Sequence, residues 1–273
     1  MNILFYIVFL AQVLLISAIV PYLVRRRLLR VLDDFPALTD PQLHPRPLSA
    51  YRTGLVLFAW FNRLLSLMGL VLLVIVYRVH ATDSPIPESW PAFFGGVQFL
   101  PMLLMDLFCL SLFRRLRELR PEKRRSASLQ PRRLFDFMPR WLLALAMVML
   151  ALAVLGDLYL HDFDLGHGTL ARNLTVLVTN GLLALLGWWK LRGRSLTPQP
   201  NPEARNRSIG AQLTVLAVIS IAFSTYMLLH AMNAVLGLQN FDAIVMSLYF
   251  QTAMAVSISI TLRTAIPLRQ ACA

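Results

Sequence analysis

An all-α fold, a polytopic membrane protein built as a seven-transmembrane-helix bundle, follows from two features of the 273-residue chain. The first is a set of apolar runs of about 20 residues, the length a helix needs to cross ~30 Å of hydrocarbon. The second is where the charge lies: of 26 Lys and Arg residues, 23 fall in alternate loops or the C-terminal tail. Hydrophobic residues make up 57% of the chain and its mean hydropathy is +0.62, whereas soluble domains sit near ~45–50% apolar. The chain reads as a single membrane domain, 1–273, with no length left for a soluble one.

The expected spans are 2–24, 54–77, 92–113, 141–160, 169–189, 209–232 and 241–262. The first has no basic residue before it and Arg25, Arg26 and Arg27 directly after it. A secretory signal has the opposite order, so this segment reads as a retained anchor with its N-terminus outside. In the third, Pro101 removes a backbone donor and is expected to kink the helix. Trp90, Trp141, Trp188 and Trp189 stand at span ends, where amphipathic rings favour the membrane interface.

Charge sets the orientation. Loops 25–53, 114–140 and 190–208 and tail 263–273 carry a net +16, and the opposite side carries −4. Lys and Arg in short loops mark the cytoplasmic side, so the expected topology is N-terminus outside, C-terminus cytoplasmic. The formal net charge of +12 is what this orientation demands and needs no nucleic acid. Arg25, Arg26 and Arg27, with Lys123, Arg124 and Arg125, are the candidate contacts for anionic lipid headgroups or a protein partner. Loop 190–208, with Pro198, Pro200 and Pro202, reads as a polar connector.

Inside the spans the sharpest feature is Arg63 with Asp106. Arg63 lies nine residues after Gly54 and Asp106 eight before Arg114, which places both ~12–13 Å from the cytoplasmic side at 1.5 Å per residue. An ion pair at matched depth offsets the cost of a charge in hydrocarbon. It reads either as a lock between two helices or as a gate, substrate contact or proton relay. Asn62, Ser66 and Gly69 share one arc of a helical wheel, with Arg63 at its edge. Small and polar residues on one face serve helix packing in lipid. The other reading is a polar cavity lined by Asn62, Arg63, Gln98, Asp106, Asn180 and Gln251.

The turn His161-Asp162-Phe163-Asp164-Leu165-Gly166-His167 is a second candidate. His161, Asp162, Asp164 and His167 form a possible outer-face cation or pH site, since imidazole and carboxylate bind zinc-like cations. Short polar turns also have this composition, and no metal is assigned.

Several chemistries are argued against. None of the five His lies mid-span, against haem held between helices. The only lysines, Lys123 and Lys190, sit at or beyond the boundary, against a Schiff base. Neither a phosphate-cradling Gly loop nor HExxH occurs, and Cys109 and Cys272 make no metal spacing. The expectation is therefore a non-enzymatic receptor, regulator or assembly factor without a cofactor, acting through its basic cytoplasmic loops. Its partners would be the bilayer, a membrane or cytoplasmic protein, or a second copy. The alternative is a small-solute or ion transporter or channel subunit using Arg63 and Asp106. The excess of arginine over lysine leans towards the inner membrane of a bacterium.

Overall fold

The computed structural model describes residues 2–34, 47–79, 86–87, 89–105, 134–192 and 202–264, and the elements among them are all helical. This is what an apolar chain must do, because hydrocarbon offers no partner to a free N–H or C=O. Helix α1 (Asn2–Leu14) runs through a π-helical segment, Leu15–Ile19, into α2 (Val20–Asp34). Then come α3 (Leu48–Val79), α4 (Ser89–Gln98), α5 (Arg140–Leu160), α6 (His167–Arg192), α7 (Pro202–Val235) and α8 (Asp242–Thr264).

Among the described residues, six helical stretches are long and apolar enough to cross a membrane: Ile3–Arg30, Ser49–Val79, Arg140–Leu160, Gly168–Arg192, Asn206–Val235 and Asp242–Ile260. The chain is thus a helical, multi-pass membrane protein by its architecture. The expected span 92–113 corresponds in part to a shorter apolar stretch, Ser89–Met105. Its helix is interrupted at Phe99, two residues before Pro101, which has no N–H to donate to the preceding turn. Asp106 lies outside the described residues, as do Lys123, Arg124 and Arg125. Two expected loops are partly helical. Arg and Leu, both good helix formers, carry α2 to Asp34, and α7 starts at Pro202, whose fixed φ suits a first helical position.

Both described hairpin turns close in the same way. At the end of α5, Phe163 N–H bonds to Leu158 O (2.8 Å) and Asp162 N–H to Tyr159 O (3.2 Å), the Schellman pattern. Asp162 takes the left-handed position there with φ 53°, which a short polar side chain tolerates. After α7, Leu238 N–H bonds to Asn233 O (2.8 Å) and Gly237 holds φ 69°.

The helices pack as two groups that meet between α7 and α8. In one, Leu142 of α5, Leu191 of α6 and Leu213 of α7 share a core. In the other, Phe9 and Val13 of α1 meet Val76 of α3, Phe94 of α4 and Ile244 of α8. Aromatic rings join the groups, with Tyr249 against Phe223 (6.0 Å) and Tyr226 (5.8 Å). Glycine makes one approach possible: a Cβ on Gly95 of α4 would lie 2.6 Å from the Phe250 ring of α8.

Replacing Gly95 with Ala is expected to destabilise the bundle by about 1–3 kcal/mol, the usual cost of overpacking. Unfolding in mixed micelles measures it, and a variant as stable as the parent would show that α4 and α8 are not this close.

Candidate functional site

Four deeply buried polar residues form a line through the second helix group. The Ser247 hydroxyl of α8 donates to Gln12 Oε1 of α1 at 2.6 Å. Gln12 Nε2 donates to Gln98 Oε1 of α4 at 3.0 Å. Gln98 Nε2 donates to Ser17 Oγ, within the π segment, at 2.8 Å. Each of the four residues is at most 3% exposed. Gln251, one turn along α8 from Ser247, donates through Nε2 to Val8 O at 2.9 Å. An amide accepts on one end and donates on the other, so the links all point one way, and such chains polarise one another cooperatively. They tie α1, the π segment, α4 and α8 together, and π segments often occur at functional positions.

A smaller polar group sits where α6 meets α7. Asn180 Nδ2 donates to Ser224 Oγ (3.3 Å) and to Val176 O (2.9 Å), and Ser220 Oγ donates to Asn180 Oδ1.

At the end of the bundle formed by the α5–α6 turn, charge is gathered around Asp157. This carboxylate is buried and accepts from Arg172 Nε (3.1 Å) and Asn173 Nδ2 (2.8 Å). Arg172 Nη2 lies 2.9 Å from His161 Nε2, while His161 Nδ1 lies 2.9 Å from Asp157 O. The pattern assigns the proton of a neutral imidazole to Nδ1, because Nε2 must accept from a guanidinium that only donates. The α7–α8 turn repeats the theme, with Asn233 Nδ2 on Asp242 Oδ1 (2.8 Å) and His230 Nδ1 3.3 Å from Asp242 Oδ2.

Arg63 behaves differently. Midway along α3, it is exposed, with its guanidinium carbon 5.5 Å from the Trp60 ring centroid. The packed side of α3 carries Phe58, Asn62, Leu65, Gly69, Leu72 and Val76. Asn62 donates to Phe58 O of its own helix (2.7 Å) and Ser66 to Asn62 O (3.0 Å). The wheel put Arg63 at the edge of the Asn62 arc, and packing places α1 on the Asn62 side, leaving Arg63 outward. Insertion scales put the cost of an arginine at this depth at ~2.5–3.5 kcal/mol, and the Trp60 ring offsets part of it.

The six polar residues expected around one cavity are therefore distributed. Gln98 and Gln251 belong to the line through α1 and α8. Asn180 serves the α6–α7 crossing, Asn62 its own helix, Arg63 faces outward, and Asp106 lies outside the described residues. In the α5–α6 turn, His161 is engaged with Arg172, while Asp162 and Asp164 are exposed and His167 opens α6. Arg25 and Arg27 are half-buried and Arg26 exposed on α2. Among the described residues, no group of three His, Cys, Asp or Glu is placed to hold a metal ion. Sequence reading missed Gln12, Ser17 and Ser247. Their signal was a glutamine inside the most apolar span, which hydrocarbon does not tolerate without a partner.

Replacing Gln12 with Leu breaks two links, taking the donor from Gln98 Oε1 and leaving the Ser247 hydroxyl only its longer donation to Val8 O (3.5 Å). A loss of about 1–2 kcal/mol is expected, the upper range for polar contacts between membrane helices. Arg172→Leu leaves the Asp157 carboxylate buried with fewer donors and is expected to cost about 2–3 kcal/mol, below the range for a fully buried pair because Arg172 is partly exposed. The double variant Asp157→Leu with Arg172→Leu should recover most of that loss. Unfolding in mixed micelles checks both, and a strictly additive double variant would deny the coupling.

Comparison with protein-family models, curated proteins and solved structures found no match to this chain, so its function is read from its own residues.

Proposed function

We propose that this chain is a non-enzymatic receptor, regulator or assembly factor of a bacterial inner membrane, working through a protein partner rather than through a solute path. The observation that carries the reading is the contrast between the interior and α3. Gln12, Ser17, Gln98, Asn180, Ser224 and Ser247 are committed to one another in hydrogen bonds across helix crossings. The charge set deepest in α3, Arg63, faces away from that interior. A transporter reading needs the opposite arrangement, with the charge turned towards the path of the solute.

The basic ends add a second surface. Arg25, Arg26, Arg27 and Arg30 on α2 share an end of the bundle with Arg52, Arg140, Lys190, Arg192 and Arg207. Under the positive-inside rule this end faces the cytoplasm. It offers charge to anionic headgroups and to a cytoplasmic segment of a partner.

Extraction from native membranes in mild detergent, followed by mass measurement of intact complexes, tests the reading. The expected result is a second protein in fixed stoichiometry. Recovery of the chain alone, or only as copies of itself, would turn the reading towards a self-contained transporter.

A further inference from the structure

We infer that the outward face of α3 is the docking seam for another protein's transmembrane helix, one that carries a carboxylate level with Arg63. This deepens the partner reading above and rests on it. Val56, Trp60, Arg63, Leu67, Leu70 and Val74 are all exposed, with Trp60 at 57% and Val74 at 55%. They follow one another at steps of four, three, four, three and four residues. That is the a/d repeat of helices that wind together with left-handed packing, in lipid as in water.

The opposite face of the same helix shows that this repeat is used. Phe58, Asn62, Leu65, Gly69, Leu72 and Val76 have identical steps, displaced by two residues, and form the side packed within the bundle. Two residues are about 200° of rotation, so the row through Arg63 lies back to back with the packed one. Leu57, Phe61, Leu64, Met68, Val71 and Ile75 form a further exposed row with the same steps, and it is the charge of Arg63 that singles out its row as the open seam.

Charge decides what fills the open seam. Two copies of this chain insert with the same orientation, so a twofold pair along α3 would set Arg63 against its own counterpart. Like charges in a low-dielectric layer repel strongly. A helix with a carboxylate at that level neutralises the guanidinium instead and can accept two of its N–H groups at once. Trp60, one turn away on the seam and in contact with the guanidinium, holds the cation along the seam and adds an aromatic anchor of the kind that dominates interfaces.

The test uses the full chain reconstituted in phosphatidylcholine–phosphatidylglycerol vesicles with synthetic Leu/Val transmembrane peptides bearing the same repeat. The central seam residue of the peptide is Glu, Leu or Lys, and association is read by energy transfer. The Glu peptide should bind at least about tenfold tighter than the Leu peptide, the order expected for one desolvated charge pair. Arg63→Leu should erase that preference and Arg63→Glu should transfer it to the Lys peptide. Equal binding of Glu and Leu peptides, or a preference that survives Arg63→Leu, would overturn the inference. So would a Glu preference seen only in an Asp106→Asn background, since the arginine would then be satisfied within its own chain. The two readings fail separately. A native complex that forms regardless of Arg63 keeps the regulator reading and removes this seam. A Glu preference with no native partner keeps the seam chemistry and removes the regulator reading.

Discussion

A polar group inside hydrocarbon has no water to fall back on, and that constraint organises this bundle more than any apolar contact. Lipid tails are as apolar as leucine, so burying a leucine between helices gains little in a membrane. Burying Gln12 against Gln98 is different, because each amide would otherwise lie unsatisfied. The line Ser247 to Gln12 to Gln98 to Ser17 therefore specifies which helices are neighbours and in what register. Leu, Val and Phe fill the space around it. The Asn180 crossing and the Asp157 group apply the same rule to α6 with α7 and to α5 with α6.

Much of the architecture was legible because the bilayer is a demanding solvent. Span length and charge asymmetry are direct imprints of its thickness and polarity, and six long apolar helices follow the expected spans closely. Element ends were less legible. Whether Arg26 to Asp34 is loop or helix depends on local propensity, which leaves little trace in hydropathy. The candidate residues divide along the same line. Gln98 and Gln251 were recognisable as polar groups needing a partner, but Gln12 lies 86 positions from Gln98 and Val8 lies 243 from Gln251, and a wheel drawn for one helix cannot show either pairing. The wheel likewise could not decide which side of Arg63 its neighbours occupy, because that depends on where α1 packs.

The ends of the bundle differ in chemistry as well as in charge. At the α5–α6 turn, Asp157 and Arg172 are paired at short range and partly buried, and His161 is wedged beside the guanidinium. At the other end the arginines lie along helix surfaces, as on α2. A paired cluster stiffens a turn, whereas cations set along a helix surface place their field at the headgroup layer. Such a division suits a molecule that is braced at one end and in conversation at the other.

The π segment in the first span has a consequence for how its sequence is written. Phe5, Phe9, Val13, Ser17 and Pro21 are all buried, at four-residue steps. On an unbroken α-helix each such step overshoots a full turn by about 40°, so the stripe would wander about 160° by Pro21 and lose its neighbours. The wide turn at Leu15–Ile19 accommodates one extra residue, about 100° of that drift. It acts as a vernier, a local change of pitch that lets a repeat of four remain on one side of a helix whose natural period is shorter.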